Sequence, residues 1–131
     1  MRLFLQINIT DWKETGYAKP LLAFASSLAD DIVGTDLDCQ SESYIANLVI
    51  KLIQDAEQIF LLVVADPSSS SLGGSLPAFH QLIKAKEKIH LAVLSGEHAI
   101  AEKMLIPFQE NFKKQNDEEL IKKLIKQFAY C

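Results

Sequence analysis

QIFLLVVADPSSSSLGGSLPAFHQLIKAKEKIHLAVLS, Gln58 to Ser95, holds two apolar runs separated by a polar break and a segment of helical period. The first run, QIFLLVVAD from Gln58 to Asp66, is nearly all apolar and rich in β-formers, the composition of a strand buried on both faces. The second, KIHLAVLS from Lys88 to Ser95, is of the same kind. Between them Ala78, Phe79, Leu82 and Ile83 recur every three or four positions, which predicts a helix laid back over the sheet. Strand, helix and strand in that order form a βαβ unit with parallel strands and a right-handed crossover.

The same alternation continues on both sides of this unit. RLFLQINI, from Arg2, predicts the first strand, and Tyr17, Leu21, Leu22, Ala25, Leu28, Ala29 and Ile32 predict a first helix that Gly34 ends. TDLDC, Thr35 to Cys39, predicts a short acidic edge strand. Ser41 and Ser43 are candidate caps for a second helix that turns Tyr44, Ile45, Leu48, Val49, Leu52, Ile53 and Ala56 toward the sheet. After Ser95, GEHAIAEKML reads as helix, and Pro107 must end, kink or restart whatever contains it. A short helix leading to a fifth strand at Met104 to Phe108 and a single broken helix both fit. The closing stretch NDEELIKKLIKQF has acids first and lysines later, with Leu120, Ile121, Leu124, Ile125 and Phe128 on one face of a helix. The fold class that follows is α/β: one domain over residues 1–131, three layers, with a four- or five-stranded, mostly parallel sheet.

At 131 residues, 49% hydrophobic and 23% charged, the chain is long and apolar enough for a packed core. A net charge of −4 excludes a protein that coats nucleic acid, which needs a Lys/Arg excess. Gln6 and Asn8 interrupt the first apolar run before a signal-peptide core is complete, and no run approaches the roughly 18 residues that a membrane span requires. Cys39 and Cys131 have no metal or redox spacing, so a reducing cytoplasm is the expected compartment, with no metal and no cofactor.

In open parallel sheets, ligands bind outside the carboxyl ends of the strands. That rule selects Asn8, Thr10, Asp11 and Trp12 after the first strand and Asp38 and Cys39 after the second. After the third it selects Asp66 and Ser68, Ser69, Ser70 and Ser71, and after the fourth Ser95, Glu97 and His98. Solvation alone also makes such loops polar. Gly73 and Gly74 would let the backbone approach a ligand, and Ser75 as a cap with Pro77 in the first turn would present free N–H groups to a small anion. The loop lacks the P-loop spacing and its lysine, and is not a dinucleotide fingerprint; its serines and glycines are equally the composition of a connector.

His80 and His98 carry imidazoles, the group most often used to move protons, but each also fits as an ordinary helix residue. Trp12, the sole tryptophan, suits stacking on a ligand or anchoring a partner, or simple packing back over the sheet edge. The closing helix, with Lys122, Lys123 and Lys126, suits a partner helix or acidic membrane surface, or simple packing on its own sheet.

The order of elements resembles the flavodoxin-type fold, and two of its families in particular. YIANLVIKLIQDAEQIFLLVVADPSSSS, Tyr44 to Ser71, is similar to Toll/interleukin-1 receptor domains, in which a helix and an apolar strand precede a serine-bearing loop. The enzymatic members of that family cleave NAD with a glutamate early in the next helix; the corresponding SLPAFHQLIK has no acid, so the resemblance implies no such catalysis here. Asp66 and Ser95 also resemble the strand-end aspartate and Ser/Thr of response-regulator receiver domains. INITDW lacks that family's adjacent acid pair, which removes the Mg²⁺ cluster that phosphoryl transfer needs, and Ile106 stands where the family has a lysine. Both resemblances span Arg2 to Ser95.

Two functions follow as expectations. One is a non-catalytic interaction module, with a protein partner or a second copy meeting exposed helices and Trp12. The other is a nucleotide or phosphorylated-metabolite site built from Asp66, Ser68 to Ser71, Gly73, Gly74 and Ser75, with Asp11 and Ser95 at neighbouring strand ends.

Overall fold

A computed structural model describes residues 1–9, 20–38, 43–65 and 76–130. The strands are β1 (Arg2–Ile9), β2 (Ile32–Asp38), β3 (Gln58–Ala65), β4 (Ile89–Gly96) and β5 (Phe112–Lys114). The helices are α1 (Pro20–Leu28), α2 (Ser43–Asp55), α3 (Leu76–Lys84), α4 (Ala99–Met104) and α5 (Glu118–Ala129). The strands form one five-stranded, all-parallel sheet in the order β2-β1-β3-β4-β5. This is the flavodoxin-like order, and its three-layer form follows from where the helices pack.

Each face of the sheet carries its own core. On one, Leu3, Leu5 and Ile7 of β1 and Ile59, Leu61 and Val63 of β3 are sealed by Val49 and Ile53 of α2 and by Phe79 and Leu82 of α3. On the other, Phe4, Phe60 and Val93 meet Leu21 and Ala25 of α1 and Ile121, Ile125 and Phe128 of α5. Phe4 stacks on Phe60 at 5.5 Å between ring centroids, and Phe60 meets Phe128 at 5.7 Å. Residues Ile59 to Val63 are fully buried because β3 lies at the centre of the sheet with a helical layer on each side.

Four sequence readings need correction. Ile32 and Gly34 do not close the first helix: α1 ends at Leu28, and Ile32, Val33 and Gly34 run in β2, paired with Arg2, Leu3 and Phe4. Helical spacing of apolar residues cannot show where a strand partner takes over. The second strand is therefore longer than Thr35 to Cys39 and starts earlier. The fifth strand is Phe112–Lys114 and not Met104 to Phe108; Pro107 lies in a 3₁₀ turn over Ile106–Asn111 that leads into it. In α2, Tyr44 and Leu48 face outward, 61% and 59% exposed, while Ala46, Val49 and Ile53 cover the sheet. Likewise Leu120 sits outside the buried stripe of α5.

The closing helix packs on its own sheet through Ile121, Ile125 and Phe128. It starts where Asp117 accepts a hydrogen bond from the Glu119 N–H at 2.9 Å. Among the described residues no helix is long and apolar enough to cross a membrane.

Candidate functional site

β1 stands between β2 and β3, and successive connections leave it toward opposite faces: α1 lies on one side of the sheet, α2 and α3 on the other. The carboxyl end of β1 is thus the switch point where this architecture forms a crevice. Parallel register shows what its walls are made of, because paired residues share a face. On the α1/α5 face, one row across the sheet reads Asp36, Gln6, Leu62, Val93, and the next reads Asp38, Asn8, Val64, Ser95. On the opposite face the intervening row is Leu37, Ile7, Val63, Leu94, all apolar and buried. Among the described residues, the polar members of these strand-end rows fall on the α1/α5 side.

Gln6 is the unusual member, only 7% exposed between the buried apolar residues Leu3 to Leu5 and Ile7. Its Nε2 donates to Asn8 Oδ1 at 2.9 Å, which turns the amide toward the strand end, and its Oε1 accepts no hydrogen bond. A buried acceptor left without a donor costs about 1–3 kcal/mol. The sequence signal was present, a glutamine at an inward position of RLFLQINI, but it reads only as an interruption until register places Asn8 and Asp36 beside it.

Ser95 lies at the end of β4, in register with Val64. The following Gly96 adopts φ +93°, and a Cβ there would collide with the Ala65 carbonyl oxygen, so the β3 and β4 ends are locked together by a glycine. Its N–H donates to Asn116 Oδ1 at 2.8 Å, tying this end of the sheet to the segment before α5. His98 is buried and caps α4, its Nδ1 accepting from the Ala101 N–H at 3.2 Å. His80 is exposed on α3.

No family model, no curated protein and no solved structure matches this chain. Asp11, Trp12, Asp66, Ser68, Ser69, Ser70, Ser71, Gly73, Gly74 and Ser75 lie outside the described residues. Thr10, Cys39 and the proposed Ser41 cap do so as well.

A second surface is apolar. Thr35 of β2 and Ile45, Leu48, Val49 and Leu52 of α2 line a groove of about 430 Å³, with Lys51 and Asp55 at its rim. Val33, 38% exposed, belongs to the same strand, and the exposed Tyr44 and Leu48 to the same helix. β2 is an outer strand seven residues long, uncharged from Ile32 to Thr35. The other outer strand, β5, has three residues, two of them Lys113 and Lys114, the usual protection of an edge against pairing.

Proposed function

We propose that the chain is a non-catalytic interaction module that pairs with a second copy of itself through the outer edge of β2 and the outward face of α2. The observation that carries this reading is the groove that the exposed Leu48 of α2 shares with Thr35 on the outer strand β2, which is uncharged from Ile32 to Thr35.

Self-pairing is favoured over a foreign strand by the self-complementarity of the edge. In an antiparallel pair with its two-fold axis at Thr35, Val33 stands opposite Leu37 of the other copy and Thr35 opposite Thr35. Asp36 then faces Gly34 and Asp38 faces Ile32, so no acid stands directly opposite an acid. The same operation runs the two α2 helices antiparallel beside the axis, where Lys51 of one copy can meet Asp55 of the other at the groove rim.

Sedimentation velocity over a wide concentration range tests the proposal. Wild-type protein is expected to shift from monomer to dimer, and Leu48→Lys to remain monomeric with unchanged circular dichroism and melting temperature, because position 48 contributes little to the monomer core. A wild-type monomer at every concentration would reject it.

A further inference from the structure

The chemistry of the β1 end points away from the anion suggested by the Gly73 to Ser75 stretch. Gln6 Oε1 is a buried acceptor with no donor. Asn8 Oδ1 is already turned to accept from Gln6. Asp36 and Asp38 extend the same two rows on β2. On the other flank the rows continue into Leu62 and Val64, which are apolar. A phosphate placed here would bring acceptor oxygens against acceptors and negative charge toward Asp36. A ligand that supplies an N–H or O–H donor satisfies Gln6 Oε1, and an apolar body suits Val64.

We propose that Gln6, Asn8 and Asp36 form the floor of a binding site for a small uncharged or cationic molecule carrying hydroxyl or amine donors, at the switch point between β1 and β3. An apolar residue at position 6 would fill the strand interior without an orphaned acceptor, so Gln6 costs stability that a bound donor would restore. The site is separate from the β2 edge and holds whether or not the chain dimerises.

The test uses adenosine, ribose, agmatine and spermidine as donor probes, with inorganic phosphate as the anion, at equal millimolar concentration and on wild-type protein. At least one donor probe is expected to raise the melting temperature, phosphate is not, and the Gln6 side-chain amide resonances are expected to move on titration with the active probe. Gln6→Met, close in volume, should abolish the ligand-induced rise while melting no lower than wild type without ligand. The proposal is overturned if none of the four probes shifts the melting temperature, if phosphate alone does, or if the Gln6 amide resonances stay still while the protein is stabilised. Should Gln6→Met fail to fold, the wild-type panel and the amide resonances still decide.

Discussion

Arg2 grips Asp31 with two parallel hydrogen bonds of 2.8 Å, Nε to Oδ2 and Nη2 to Oδ1, and with its remaining nitrogen Nη1 reaches the Phe128 and Ala129 carbonyls at 2.8 and 3.0 Å. One side chain at the start of β1 therefore holds the α1–β2 turn and the end of α5, more than a hundred residues away. The guanidinium also lies 5.4 Å from the centre of the Phe128 ring. A bidentate fork of this kind is specific to arginine, so Arg2→Lys should not restore what Arg2→Met removes. We expect Arg2→Met to lower the unfolding free energy by about 2 kcal/mol, read from urea midpoints.

The same pair sets a pH dependence. The Arg2 hydrogen bonds, and then its charge, hold the Asp31 carboxyl below its ordinary value of 3.8. A carboxylate depressed in the folded state adds stability above its unfolded pKa, and that contribution is lost as pH falls through the lower folded value. The melting-temperature difference between wild type and Asp31→Asn should therefore be constant from pH 7 down to about 5 and shrink below pH 4. A difference that grows on acidification would contradict the pairing.

Gly96→Ala tests the lock between β3 and β4. The substitution must either abandon φ +93° or push the Ala65 carbonyl out of the ladder. A loss of about 3 kcal/mol is expected, combining left-handed backbone cost with overpacking, measured by chemical denaturation. A change below about 0.5 kcal/mol would mean that this end of the sheet relaxes freely.

The elements of the sheet were legible where composition alone decides them, and the ends were not. QIFLLVVAD and KIHLAVLS read as interior strands from their short length and β-forming composition. Ile32 and Val33 were read into α1 because three-residue spacing fits helix and strand start alike; pairing with Arg2 and Leu3 decides between them. Tyr44 and Leu48 match the helical period of α2 but fall beyond the strip that a sheet edge can cover, which sequence periodicity does not reveal. β5 was misplaced because three residues, two of them lysines, carry no strand signal of their own. Of the strand-end candidates, Asn8 and Ser95 emerged in one row, while Gln6 needed the register to acquire meaning.

Removal of α5 should unfold the domain. Truncation after Asn116 strips Ile121, Ile125 and Phe128 from the core on the α1/α5 face, and each large buried side chain is worth about 2–5 kcal/mol against a typical total stability of about 5–15 kcal/mol. The truncated chain should give collapsed amide dispersion in NMR spectra. A dispersed spectrum would show that α5 is an appendage.

The central claim, self-pairing of β2 about Thr35, is tested most directly by a disulfide at the proposed two-fold axis. Two residues facing each other across an antiparallel pair have Cα atoms about 4.5–5.5 Å apart, within the range a disulfide spans. Thr35→Cys, made in a Cys39→Ser, Cys131→Ser background, should form a covalent dimer within minutes of mild oxidation, and Lys113→Cys on the opposite edge should not. A Thr35→Cys protein that stays monomeric on a non-reducing gel, or that links no faster than Lys113→Cys, would contradict the account.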